Sequence, residues 1–283
     1  MFDTIEEVQQ ALAGEHYITD RGLATAIFIA LQLQKPLFLE GEAGVGKTEV
    51  AKVLSRLLGA RLIRLQCYEG LDVSTAVYEW NYQRQILEIR MLEVEGASRA
   101  AARANIFSEE FLLKRPLLQA ITPQDGPAPV LLIDELDRAD EEFESFLLEL
   151  LSDWQITIPE LGTIQATEPP VVVVTSNRTR EIHDALKRRC LYHWIDFPSA
   201  QKELQIVHAK VPGLSDTLAE QIVAFVQKLR AQDLYKLPGV SETLDWARTL
   251  MALKRETLDE ATIRDTMGVL LKYRDDIQNA VTT

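Results

Sequence analysis

The chain has 283 residues, 47% hydrophobic and 26% charged, the proportions of a globular protein with room for one large domain or two modest ones. Its net charge of −13 weighs against nucleic acid as a main partner, because an acidic surface repels phosphate backbones and no basic stripe offsets it. Two distant cysteines, Cys67 and Cys190, and four histidines without ligand spacing suggest neither a disulfide framework nor a zinc site. With no basic-then-apolar leader at Met1–Glu7 and no apolar run of membrane-spanning length, a cytoplasmic setting without membrane insertion is expected.

Asp3 to Ala13 reads as a polar helix stopped by Gly14. Apolar residues at Leu23, Ala26, Ile27, Ala30 and Leu31 predict a second helix over Gly22–Leu33. Between them, Tyr17 and Ile18 are weak candidates for an adenine pocket, and ordinary core positions are the stronger reading of each. A short apolar run, Pro36-Leu37-Phe38-Leu39-Glu40, then leads into Gly41-Glu42-Ala43-Gly44-Val45-Gly46-Lys47-Thr48. Glycines at this spacing let successive main-chain N–H groups turn inward on an anion, and the helix that follows adds the positive end of its dipole. Lys47 is placed to reach β- and γ-phosphates and Thr48 to give a hydroxyl to Mg²⁺. The candidate nucleotide-binding set is Gly41, Glu42, Ala43, Gly44, Val45, Gly46, Lys47, Thr48 and Glu49, with Ile18.

The helix after this loop carries Val50, Ala51, Val53, Leu54, Leu57 and Leu58 on one stripe and ends at Gly59, and Arg61–Cys67 reads as a strand. Beyond it, Tyr78, Trp80 and Tyr82 alternate like a hairpin arm, Gln83–Glu95 reads as helical, and Ala97–Ala104 as a helix or its frayed end. Glu109–Ile121 is expected to be an amphipathic helix reset at Pro116, followed by a loop over Pro123–Pro129. Val130-Leu131-Leu132-Ile133 then forms a buried parallel strand closed by Asp134 and Glu135, at the end where open α/β sheets place ligands. Asp134 is suited to hold Mg²⁺ through water, and Glu135 to orient or deprotonate an attacking water.

Phe143, Phe146, Leu147, Leu150 and Leu151 mark a helix with glutamates on its wet side, and Trp154–Ala166 alternates as a hairpin. Val171–Val174 is another buried strand, ending in Thr175-Ser176-Asn177. If it neighbours the strand ending in Asp134 and Glu135, the Asn177 amide could hold a lytic water or sense the γ-phosphate; it could equally be a polar cap. Leu186-Lys187-Arg188-Arg189 precedes a strand over Leu191–Phe197. Helical stripes at Leu218–Leu229, Ser241–Leu253 and Ala261–Tyr273 then suggest a separate helical domain.

Taken in order, phosphate loop, strand ending Asp-Glu, hairpin, strand ending in Asn, Leu-x-Arg-Arg and helical tail resemble an AAA+ ATPase over nearly the whole chain. The resemblance implies an α/β P-loop NTPase, a parallel-sheet sandwich over 1–198 followed by a small all-helical lid domain over 199–283. The hairpin 154–166 is similar to a pre-sensor-1 hairpin and about 68–95 to a helix-2 insert, which points to the branch of MoxR-type ATPases, magnesium-chelatase motor subunits and, more remotely, replicative helicases. Single-module size and acidity favour the MoxR type, with the tail Pro238–Trp246 similar to CoxD-like proteins. On that likeness Gly41, Gly46, Lys47 and Thr48 match Walker A, Asp134 and Glu135 Walker B, and Asn177 sensor 1. Arg189 matches the arginine finger, with Arg188 as the alternative. ATP and Mg²⁺ are the implied cofactors. The implied partners are copies of the chain in a hexameric ring, a client metalloenzyme of molybdenum hydroxylase type and a von Willebrand A-type adaptor. One departure stands out: Thr243 occupies the position where relatives carry a sensor-2 arginine, and Arg248, five residues on, lies about 140° around a helix from it. A nucleic-acid motor is the alternative reading, weakened by a hairpin without lysine or arginine, and an ATP-regulated scaffold without turnover is another.

Overall fold

The computed structural model describes residues 2–94, 106–122 and 125–282. Its strands are β1 Leu37–Gly41, β2 Leu62–Gln66, β3 Tyr78–Trp80, β4 Leu112–Lys114, β5 Val130–Asp134, β6 Gln155–Ile158, β7 Gly162–Gln165, β8 Val171–Ser176 and β9 Leu191–Ile195. Five of them make one sheet in the order β2-β5-β8-β1-β9. β5 runs parallel to β2, with Leu62 opposite Val130, and to β8, with Val130 opposite Val171. Every residue of β5 is buried, which is why Val130–Ile133 is a continuous apolar run rather than an alternating one. This is the AAA+ P-loop fold, with a helical region at the carboxyl end.

The described chain divides into two compact units. One comprises Met1–Phe28, Glu40–Val53 and Trp194–Thr283. Its helical part, Ala200–Lys210, Asp216–Arg230, Val240–Ala252, Glu260–Leu270 and Arg274–Thr282, packs around fully buried Trp246 with Leu218, Ile222, Val226 and Met267. The Trp246 indole N–H donates to the Thr266 hydroxyl at 2.7 Å, so the largest core side chain buries no unpaired donor. Three of these helices start on capping side chains: Ser199 for Lys202, Ser215 for Leu218 and Asp259 for Thr262.

The other unit comprises Ile29–Leu39 and Leu54–His193. Its core joins Ile63, Leu65, Leu131, Ile133, Val172 and Val174 of the sheet to Leu117, Leu118, Phe143, Leu147 and Leu150 of the flanking helices. β6 and β7 form the expected hairpin, Ile158 pairing with Gly162.

Several sequence expectations are corrected. Glu109–Ile121 is not one helix: a single 3₁₀ turn, Glu109–Phe111, leads into β4, and a helix begins only at Pro116 and runs to Ile121. Proline lacks an N–H and holds the residue before it extended, so it opens a helix here rather than continuing one. β4 instead pairs antiparallel with β3, Trp80 opposite Leu112, and Tyr82 leaves the strand to open the helix Tyr82–Val94. The stripe over Ala261–Tyr273 breaks at Leu271, which is extended and buried, and a new helix begins at Arg274. The helix Ala200–Lys210, which the sequence stripes left out, is also present. The segment Ala97–Ala104 lies outside the described residues.

Candidate active site

The first candidate region is the loop that leaves β1 at Gly41 and enters the helix Lys47–Leu57. Gly44 and Gly46 sit at φ of +78° and +99°, a conformation that side chains rarely adopt, and this is what the glycine spacing provides. Lys47 is buried, and its ammonium donates to the carbonyls of Gly41 at 2.7 Å and Glu42 at 2.6 Å, so the loop winds around it. The phenol of Tyr17 lies 3.5 Å from the Gly46 carbonyl, and its ring stands within van der Waals range of the place a Gly46 side chain would take. Burial, then the charges of Asp20 and Glu49, push the Tyr17 hydroxyl well above the usual tyrosine range, so this wall of the loop is neutral. Ile18 is half-buried, Ala43 and Thr48 likewise, Glu42 is exposed, and Val45 is buried. Glu49 lies 3.4 Å from the Lys52 ammonium and 3.7 Å from that of Lys210. Main-chain donors on a left-handed glycine loop, one lysine and one hydroxyl at a helix start are the donor set that suits a triphosphate.

The second candidate region lies at the carboxyl ends of β5 and β8. Asp134 is 2% exposed, and both its oxygens are engaged. Oδ1 accepts from the Thr175 hydroxyl at 2.6 Å, and Oδ2 from Arg64 Nε at 3.0 Å and Nη2 at 2.5 Å. Arg64 stands opposite Leu132, two residues before Asp134, so the period of two puts both side chains on one face of the sheet. Glu135 follows in the left-handed region at φ 55°, uncommon for a residue with a side chain, and its amide donates to Thr175 Oγ1 at 2.9 Å. Its carboxylate is 39% exposed, 3.8 Å from Arg138 Nε. β5 and β8 are neighbours, so Asn177 lies beside the end of the strand that carries Asp134 and Glu135.

Asp137 ties the two strand ends together. Its carboxylate accepts from the amides of Asn177 at 3.1 Å and Thr179 at 2.9 Å and from the Thr179 hydroxyl at 2.7 Å. Burial works to raise its pKa, but these donors prevail and hold it below the ordinary aspartate value. Beneath the acids, the Cys67 thiol is pushed up to about 12 by burial and by the charges of Asp134, Asp137 and Glu135. Arg64, Thr175 and Asp137 were not singled out in the sequence. The signal for Asp137 was its place three residues after Asp134; for Arg64 and Thr175 there was none until the strands had an order.

Arg188 and Arg189 are both exposed at the end of the short helix Asp184–Arg189. Glu144, buried on the helix Glu141–Asp153, pairs with Arg180 and accepts the His183 amide at 2.8 Å, which fixes the start of that short helix. Thr243 is fully buried, and Arg248 is exposed on a 3.0 Å pair with Asp245.

These features define a class. The chain belongs to the AAA domain family, dynein-related subfamily, which matches residues 36–190, more than half of its length, and it is a P-loop ATPase. Among curated relatives it is similar to Chaperone MoxR1 of Mycobacterium tuberculosis, 25% identical over 238 residues, 81% of this chain and 52% of that protein. It is also similar to YeaC of Bacillus subtilis, 23% identical over 249 residues, 82% of this chain and 66% of that one. The chain thus spans from about half to about two thirds of the length of these relatives. Its fold is shared by a solved chain from Cytophaga hutchinsonii at a TM-score of 0.52 and 14% identity, covering 98% of this chain and 93% of that one. A point mutant of RuvB from Thermotoga maritima matches at a TM-score of 0.51 and 17% identity, covering 95% of this chain and 70% of that one.

Proposed function

We propose that this chain, as a homo-oligomeric ring with six subunits, uses Mg²⁺-dependent ATP hydrolysis to remodel or activate a client protein in the cytoplasm. The client we propose is a metalloenzyme of molybdenum hydroxylase type, reached through a von Willebrand A-type adaptor. The observation that carries the nucleotide half of this reading is the left-handed glycine loop wound on the buried Lys47 ammonium. Similarity to a chaperone over 81% of the chain supports the remodelling half. Gly41 to Glu49 cradle the phosphates, and Lys47 exchanges loop carbonyls for phosphate oxygens, a move its flexible stem permits. Ile18, with Tyr17, flanks the adenine. Thr48 would give its hydroxyl to Mg²⁺, and Asp134, whose oxygens are held by Thr175 and Arg64, would hold the ion through water; when bound the ion neutralises charge on the phosphate oxygens. Glu135 takes the proton of the attacking water, and Asn177 orients that water. Arg189, with Arg188 as the alternative, serves the nucleotide of the adjacent subunit; its exposure at a helix end supports this role. Residues 1–198 act as the nucleotide-binding domain and 199–283 as its lid, with a CoxD-like tail.

If the finger works in trans, turnover per subunit rises with protein concentration, and Arg189→Ala keeps ATP affinity while turnover falls by about 10³-fold or more. A specific activity independent of concentration, with full turnover in Arg189→Ala, would remove the ring from this proposal. Nucleotide-dependent co-purification of a molybdenum hydroxylase with Glu135→Gln tests the client.

A further inference from the structure

The helix Val240–Ala252 starts directly on the phosphate loop. The Gly44 carbonyl accepts from the amides of Val240 at 2.9 Å and Ser241 at 3.3 Å. These are the first two amides of the helix, groups with no partner within it, and the loop supplies their acceptor. The two backbones approach closely, and the space at Gly239 is bounded by main-chain atoms. A Cβ on Gly239 would stand 2.7 Å from the Ala43 carbonyl oxygen and 2.8 Å from Gly44 Cα. A Cβ on Gly44 would stand 2.6 Å from Ser241 Oγ and 3.1 Å from Gly239 Cα. Glu242 completes the start by accepting the Gly239 amide at 3.0 Å.

From behind, the same turn is anchored by a buried ion pair. Glu203 is fully buried and takes Arg230 through two 2.7 Å bonds, and Arg230 Nε donates to the Pro238 carbonyl at 2.8 Å. The Thr243 hydroxyl lies 2.8 Å from Glu203 Oε1 and 3.1 Å from the Gly239 carbonyl. The position that lacks an arginine therefore serves as an anchor for the turn rather than pointing at a ligand.

We infer that Gly239 and Val240 are positioning residues for the phosphate loop, coupling it to the helical region through main-chain bonds instead of an arginine side chain. The Gly44–Val45 peptide is a rigid plane whose C=O and N–H point in opposite directions. Holding the Gly44 carbonyl on the helix start therefore fixes where the Val45 amide points, and Val45 lies within the cradle. A helix that shifts takes the aim of that amide with it. This rests on the reading that the loop binds ATP.

The test compares the full chain with Val240→Pro and Gly239→Ala. Proline is tolerated at the first position of a helix, and Gly239, at φ −78° and ψ 178°, already has the conformation that precedes one, so Val240→Pro keeps the helix start while its Cδ, standing where the amide hydrogen stood, removes the donor and pushes the Gly44 carbonyl away. Gly239→Ala wedges the contact open, and if it fails to fold Val240→Pro carries the test. In the wild-type chain, ATP should slow hydrogen exchange in the peptide bearing Val240 and Ser241 by roughly tenfold. In Val240→Pro, ATP affinity should fall about three- to tenfold while thermal stability without nucleotide stays within a few degrees. Wild-type-like affinity in the variant, with exchange at 240–241 indifferent to bound ATP, overturns the inference alone. No ATP binding by the wild-type chain overturns the nucleotide-binding reading, and this inference with it.

Discussion

The phosphate loop and the acidic cluster are held together by different means. The loop is made by consecutive residues: left-handed glycines set its path, and one buried lysine bonds its carbonyls. The acidic cluster is made by side chains that are distant in sequence, Arg64 on β2, Asp134 and Asp137 at and after the end of β5, and Thr175 on β8. A local loop depends on main-chain conformation and can be built by a short run of residues. A cluster assembled across strands depends on their order and register, and each member is as exposed to the loss of a neighbour as to its own loss.

That contrast gives predictions that separate the two regions. Lys47→Ala should have the largest effect, weakening ATP binding by more than about a hundredfold, since charged hydrogen bonds are worth about 1.5–3 kcal/mol each. Isothermal titration measures it, and near-normal affinity would sever the loop from binding. Glu135→Gln should leave affinity within about threefold and lower turnover by about 10²–10⁴. If affinity fell and turnover per bound ATP did not, the division between the regions would be wrong.

Asp137→Asn should destabilise the folded chain by about 2 kcal/mol at neutral pH, because it weakens the acceptor for the 177–179 turn. Asp137 is held below its ordinary value of 3.8, so its contribution is present above that pH and fades as pH falls through the lower folded value. The gap between wild type and variant should therefore narrow below about pH 4 in denaturant titrations; a gap that widened there would contradict the assignment. The smallest expected effect is at Cys67: with its thiol pushed up to about 12, alkylation of the folded chain should be much slower at pH 8 than that of the unfolded chain.

Legibility followed the same division. The loop could be read from the sequence because its spacing is its geometry, and Asp134 and Glu135 because an apolar run ending in acids marks the end of a buried strand. Arg64 and Thr175 could not, since nothing near them in the chain says which strand lies alongside. β4 was hidden for a related reason: its helical-looking stripe is overridden by pairing with β3, whose residues lie more than about thirty positions earlier in the chain. Thr243 stood out in the sequence only through the resemblance, and its anchoring by Glu203 and Arg230 required the packing of three helices. The direct bond between the Gly44 carbonyl and Val240 has no sequence signal beyond two glycines far apart in the chain.

The central claim is that this chain binds ATP on the Gly41–Thr48 loop and hydrolyses it with the acids after β5. The most direct measurement is phosphate release by the purified wild-type chain over a range of protein and Mg²⁺ concentrations. The account predicts release that requires Mg²⁺, stops on chelation, and is lost in both Lys47→Ala and Glu135→Gln. ATP that binds without phosphate release at any concentration of protein or Mg²⁺ would contradict it.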